Sequence, residues 1–218
     1  MHRRLHWLVW TCLVVPCVWG TVALGQEATP IPLVAPQTDG GKPLMQALKE
    51  RRSARDFSPE KLPPQVLSNL LWAAFGVNRP ETGGRTAPSA SNRQEIDVYV
   101  AGGDGLFLYE PKGHSLRAVS TEDIRALTGR QPFVKDAAVT LIYVADLAKM
   151  GNVAAADKDI YPAAATGFIG QNVYLFCASQ GLATVVRASI DRPPLAKAMG
   201  LRQDQKIILA QSVGYPKK

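Results

Sequence analysis

The sequence predicts a single α+β domain, and three observations carry that reading. Its helix and strand signals run helix, helix, hairpin, helix, strand, long helix, strand, helix, strand, an order that neither repeats a βα unit nor stays all-β. Ile96, Val98 and Val100 alternate with Asp97 and Tyr99, and the turn Gly102-Gly103-Asp104-Gly105 leads into a second apolar run at 106–109, so a hairpin stands between helices. Residues 157–180 form a long helical stretch apolar enough to need cover from both a sheet and another subunit. No internal repeat, low-complexity segment or second folding unit is visible.

In chain order, His2-Arg3-Arg4, the apolar stretch 5–19 and Ala23-Leu24-Gly25 read as the charged region, hydrophobic region and small-x-small cleavage site of a signal peptide over 1–25. A retained N-terminal membrane anchor is the alternative, although the apolar stretch is near the short limit for spanning and is broken by Pro16. Cys17 follows that rigid proline where a lipidation site has a small residue, and Arg3-Arg4 lacks the rest of a twin-arginine signature. Export to a bacterial periplasm, with no stable membrane insertion after cleavage, is the expectation.

Residues 26–42, with Pro30, Pro32, Pro36 and Asp39-Gly40-Gly41, read as an extended lead-in over the domain surface, and the domain itself as 43–218. Leu44, Ala47 and Leu48 place the first helix at 43–50. Pro63-Pro64 opens a second through Val66, Leu67, Leu70, Leu71, Ala74 and Phe75, ending at Gly76 and Asn78. Residues 79–93 are a loop by composition. After the hairpin, Ser120-Thr121-Glu122-Asp123 signals a helix start leading through 124–127 to Gly129. A strand covered on both faces follows at 137–145. The long helix is expected to start near Ile160 or Pro162, and Gly181 stops it. A strand at 183–188, a short helix from Pro193-Pro194 and a last strand at 207–213 complete the chain.

Cleavage after Gly25 removes Arg3 and Arg4 and lowers the formal net charge from +7 to +5, which suits an anionic cofactor. Nucleic acid is a poor fit, because the basic residues are dispersed and no base-reading module appears. Cys177 alone remains of the cysteines, in the apolar setting Val173-Tyr-Leu-Phe-Cys-Ala178, so a buried packing role is expected and no disulfide or cysteine metal site. His114 alone remains of the histidines, which excludes a histidine-rich metal centre and leaves a serine triad one possible base. No nucleophile elbow, Walker loop or dinucleotide glycine loop is present. Asp157, Asp159 and Asp191 sit in settings that read as helix starts and surface turns rather than an acid–base pair.

The chemistry concentrates instead in Arg51-Arg52-Ser53-Ala54-Arg55, where three guanidinium groups and a hydroxyl close the first helix. Fixed donor forks suit a phosphate better than point charges do. The plainer alternative is that these arginines offset the helix dipole and face water.

Together with Ala87-Pro88-Ser89-Ala90-Ser91-Asn92-Arg93-Gln94, the helical Gly170-Gln171-Asn172 and the closing Val213-Gly214-Tyr215-Pro216, this segment resembles the FMN-dependent nitroreductase family over about 43–218. The resemblance implies a three-layer fold with a central, mostly antiparallel sheet flanked by helices. It also implies FMN as cofactor, NAD(P)H as donor, a ping-pong reaction with a nitroaromatic, quinone or similar small acceptor, and a homodimer with the flavin at the subunit interface. By the same resemblance, Arg51, Arg52, Ser53 and Arg55 hold the phosphate end and approach the ring, and Pro88, Ser89 and Asn92 contact the flavin. Arg187, Ala188 and Ser189 supply backbone groups near its reactive nitrogen, and Lys217 or Lys218 reaches the phosphate. Some members carry an acidic residue and then glycine where this chain has Ala188 and Ser189. An azoline dehydrogenase and a non-enzymatic flavin-binding protein are the alternatives. No catalytic side chain is expected, because a cofactor carries the electron chemistry.

Overall fold

The computed structural model describes residues 29–218, so the expected signal peptide lies outside the described residues. The strands β1 (Ile31–Pro32), β4 (Ile96–Gly102), β5 (Gly105–Glu110), β6 (Ser115–Ser120), β7 (Val139–Asp146), β8 (Ala183–Arg187) and β9 (Gln205–Gly214) form one sheet in the order β1-β6-β5-β4-β7-β9-β8. Every neighbouring pair is antiparallel. A separate two-stranded ribbon joins β2 (Val77–Arg79) and β3 (Gly84–Arg85).

The period-two alternation of the central strands builds three layers. Leu141, Tyr143 and Ala145 of β7 share one face with Val98, Val100 and Val213, and pack against helices α2 (Pro64–Phe75) and α3 (Asp157–Gln180). Ile142 and Val144 face the other side with Tyr99, Ala101 and Ala210, under Leu195 of helix α4 (Arg192–Ala198), Met199 and Ile124. The strand β7 is buried along its whole length, as its unbroken apolar run predicts. This is the expected α+β architecture with a central antiparallel sheet between helices.

Helix α1 (Leu44–Glu50) lies on α3 and ends where Arg51 turns to ψ 122°, its N–H still bonded to Ala47 O at 2.9 Å. The chain then runs along the open edge of β8. Ala54 N donates to Thr184 O at 2.9 Å, Ser58 N to Tyr215 O at 2.9 Å, and Lys217 N to Asp56 O at 3.1 Å. Phe57 anchors the segment in a small cluster with Ala137, Ala183 and Val185. An exposed strand edge is thereby partly covered, and the arginine motif is fixed beside it.

Several elements differ from expectation. The hairpin is a three-stranded meander, because Ser115–Ser120 pairs with β5 as a further strand. The helix expected from Ser120 shrinks to one 3₁₀ turn at Arg125–Thr128. Asp123 accepts both the Arg125 N–H and its guanidinium, Thr128 Oγ1 donates to Arg125 O, and these local bonds compete with helix propagation. The loop at 79–93 contains β3 and a 3₁₀ turn at Ala90–Asn92. The described part of the lead-in is extended as expected, but it is tied down: β1 pairs with β6, and Ser68 Oγ donates to Val34 O at 2.6 Å. Helix α3 starts at Asp157 and carries Pro162, buried, inside its second turn.

Candidate functional site

A cavity of about 500 Å³ opens between the end of α1, the C-terminal half of α3 and the start of β8. Lys42, Lys49, Arg51 and Arg52 line it, with Glu50 as the acidic group among its walls. Glu50 is engaged by Lys42, which holds its carboxyl below the usual range. Lys49, Arg51, Arg52 and Arg55 enter none of the ion pairs among the described residues. A basic cavity in which Lys49, Arg51 and Arg52 are not cancelled by carboxylates, Lys42 alone being paired, fits a phosphate-bearing ligand. Tyr174 of α3 lines the same space; its hydroxyl oxygen lies 2.8 Å from Ser53 Oγ and 3.0 Å from Val186 N, and the Arg51 guanidinium sits 5.2 Å from its ring centroid. Ser53 is exposed, between the lining residues Arg52 and Ala54.

At the exit of β8, Arg187 is buried and its guanidinium points into the protein. Nη1 donates to Thr128 O at 2.7 Å and Nη2 to Ser212 Oγ at 3.0 Å. Among the described residues no carboxylate pairs with it, and burial pushes its pKa down to about 10. The side chain therefore anchors the loop above β8. The following residues turn outward: Ala188 O accepts from Ile190 N and Ser189 O from Arg130 N. Ala188 and Ser189 are exposed, and their N–H groups have no acceptor among the described residues, so two amide donors remain free at the sheet edge.

Pro88, Ser89 and Asn92 lie in a loop with left-handed backbone at Ser91, Asn92 and Gln94 (φ 52° at each). Such conformations cost about 1–2 kcal/mol each for a residue with a side chain. Gln94 offsets that cost by bonding in several directions. Its N–H donates to Ser89 Oγ at 2.9 Å, its amide donates to Asn92 Oδ1 at 3.0 Å and Gly83 O at 2.9 Å, and its Oε1 accepts from Arg85 Nε at 2.8 Å. The Asn92 carbonyl thus already accepts one hydrogen bond and keeps a second lone pair. The loop presents the Ser89 O–H, the Asn92 amide hydrogens and that remaining acceptor site.

The structure brings Arg51, Arg52, Ser53, Arg55, Lys217 and the Ala188–Ser189 amides to the β8 edge, and leaves Pro88, Ser89 and Asn92 elsewhere. The register shows why. Thr184 pairs with Val213, which pairs with Val139, which caps the sheet end containing Gly102. The Ser89 loop instead enters β4 at Ile96, opposite Ala145 and Lys206, at the other end of the sheet and beyond the intervening β7 and β9. One chain does not join the two halves of the motif.

Tyr174, Gln94, Lys42 and Lys49 were absent from the sequence reading of the site. Tyr174 could have been found as the polar-tipped aromatic in an otherwise apolar run, since a buried phenol needs a partner. Gln94 closes the Ala87–Gln94 segment, but its role as the loop's hub depends on Gly83 and Arg85 across the turn. His114 has no cavity role. Ser68 spends its one hydrogen on Val34 O, so His114 Nε2 donates to Ser68 Oγ at 2.7 Å and Nδ1 accepts from the Tyr109 hydroxyl at 2.9 Å. Burial lowers its pKa and keeps the ring neutral. Cys177 is buried, and desolvation pushes its thiol pKa up. No group of His, Cys, Asp and Glu among the described residues could hold a metal ion.

The fold and the cavity define a class: a three-layer α+β protein with a basic cavity at one edge of its sheet. The profile of the nitroreductase family matches residues 48–215. A candidate nitroreductase of Methanocaldococcus jannaschii is 33% identical over 152 residues, covering 65% of this chain and 76% of that one. The crystal structure of a candidate nitroreductase from Ralstonia eutropha JMP134 is 42% identical with a TM-score of 0.84, covering 90% of this chain and 93% of that one. A chain of the Escherichia coli microcin synthetase complex shares the fold alone, at 19% identity and a TM-score of 0.67 over 96% of this chain and 85% of that one. The chain belongs to the nitroreductase family. It is an enzyme, an oxidoreductase of the FMN-dependent kind.

Proposed function

We propose that this oxidoreductase takes two electrons from NAD(P)H and passes them to a nitroaromatic, quinone or similar small acceptor by a ping-pong scheme, as an exported homodimer with FMN at the subunit interface. The observation that carries this reading is the basic cavity at the β8 edge. Bound there, FMN would supply the electron chemistry, and the chain supplies binding, orientation and electrostatics. Arg51 and Arg52 hold the phosphate end, Ser53 adds a hydroxyl, and Arg55 and Lys217 stand beside them on adjoining backbone. The Ala188 and Ser189 amides are fixed donors for the ring edge, preorganised for charge that develops there.

Two observations support a dimer. The Ser89 and Asn92 donors stand at the far end of the sheet, so a second copy is needed to bring them to the cavity. Ile160, Ala163, Ala164, Gly167 and Phe168 are exposed along one face of α3, an apolar stripe that a partner would cover. Export rests on the leader sequence; among the described residues no helix is long and apolar enough to cross a membrane.

Heat release from the purified protein, followed by mass measurement, is expected to yield FMN. FAD alone, or a chain unable to bind FMN, would refute the reading. Arg51→Ala is expected to weaken FMN binding by about 1–3 kcal/mol, the range for a lost charge-assisted contact. Steady-state rates with NADH and NADPH against a nitroaromatic and a quinone are expected to give parallel double-reciprocal lines. Oxidation of an azoline with a quinone as oxidant, with no turnover of either nicotinamide, would reassign the electron donor.

A further inference from the structure

We infer that Tyr174 is a positioning residue for the phosphate end of the ligand: from helix α3 it orients the Ser53 hydroxyl and braces the Arg51 guanidinium. The inference rests on the proposed flavin site. Its basis is a donor chain whose direction follows from counting hydrogens. Val186 N–H can only donate, so the Tyr174 oxygen accepts it at 3.0 Å. The remaining contact, 2.8 Å to Ser53 Oγ, could in principle run either way. If Ser53 donated, the phenol would accept twice and its own hydrogen would have no acceptor among the described residues, on a side chain that is only 8% exposed. An unpartnered buried donor is disfavoured. Tyr174 therefore donates to Ser53, and the Ser53 hydrogen is left free on an exposed residue flanked by the cavity-lining Arg52 and Ala54. The chain runs from the Val186 amide through the phenol to the serine hydroxyl, and ends in a donor, which is what a phosphate oxygen accepts.

The ring adds a second constraint. Among the described residues Arg51 has no carboxylate partner, and its guanidinium lies 5.2 Å from the Tyr174 ring centroid, within cation–π range. That contact restrains the side chain without neutralising it, so the charge stays available to an anion. Because Val186 lies on β8, the same phenol also fixes the motif relative to the strand that leads to Ala188.

The test compares FMN with riboflavin, which lacks the phosphate, in equilibrium titrations of the full cleaved chain freed of flavin. Wild type, Tyr174→Phe, Ser53→Ala and the double variant are measured. Tyr174→Phe is expected to weaken FMN by about tenfold, the size of one hydrogen bond to a charged group, and riboflavin by less than about twofold. In the Ser53→Ala background, Tyr174→Phe should add less than about twofold, since the phenol acts through the serine. Equal losses for FMN and riboflavin, or independent multiplying effects of the two substitutions, would overturn the inference. If Tyr174→Phe does not fold, Ser53→Ala at its exposed position decides: a narrowed FMN preference supports the relay, and an unchanged one overturns it. A wild type that binds no flavin overturns this inference together with the proposed function, whereas a wild type preferring FMN, with that preference intact in Tyr174→Phe, overturns this inference alone.

Discussion

Gly129→Ala should be among the most damaging single-methyl changes in this protein. Gly129 has φ −178°, extended backbone open to any residue, so the argument is one of space alone. A Cβ there would stand 1.9 Å from Arg187 Nη1 and 3.1 Å from Gln131 Oε1. The guanidinium would have to move by about an ångström or more to restore van der Waals separation. It has little freedom to do so, because Thr128 O at 2.7 Å and Ser212 Oγ at 3.0 Å hold it, and it is a buried cation with no carboxylate to follow among the described residues. Losing one hydrogen bond from a charged donor costs about 1.5–3 kcal/mol, and overpacking adds about 1–3 kcal/mol. The expected loss is about 2.5–6 kcal/mol, read as a fall in the urea midpoint at unchanged slope. In an Arg187→Met background the same methyl should cost less than about 1 kcal/mol, since the flexible thioether can yield. A Gly129→Ala protein within about 0.5 kcal/mol of wild type, or an equal cost in both backgrounds, would refute the reasoning.

Phe168→Asp places a charge in the exposed apolar stripe of α3 and is expected to yield a monomer by sedimentation that retains little FMN; a flavin-loaded, fully active monomer would count against shared sites. His114→Ala is expected to keep substantial turnover, because the ring braces the lead-in against α2 and β5 and touches no cavity group; complete loss of turnover with FMN retained would make the histidine catalytic. The same histidine sets a pH dependence. Its folded pKa is depressed by burial, so the unfolded chain binds the proton more readily, and this contribution to stability is intact above about pH 6.5 and lost as the pH falls below it. Denaturant midpoints at pH 7.5 and 5.5 should show a fall in wild type that His114→Gln reduces.

Much of the site was legible because it is local. Arg51 to Arg55 is a contiguous run following a helix whose apolar spacing can be read directly, and the structure keeps it together beside β8. The strand β6 was missed because it lies near the sheet's edge, where Arg117 and exposed Val119 interrupt the alternation that a better-covered strand would show. The helix expected at 120–127 failed because Asp123 found Arg125 two residues away, a competition that summed propensity does not register. The expectation for Arg187 concerns its backbone; where its side chain goes is set by Thr128 and Ser212, groups far away in sequence.

By itself the sequence determined the α+β class, the long helix, the cationic motif and the Ser/Asn loop, since each depends on residues within a few turns of one another. The tertiary structure decided which of these meet. The order β4-β7-β9-β8 inserts strands distant in sequence between the loop and the arginines, so the two halves of one motif stand at opposite ends of the sheet. It also decided that a tyrosine and a glutamine hold those halves in shape, because a side chain's hydrogen-bond partners are set by what packs opposite it in space.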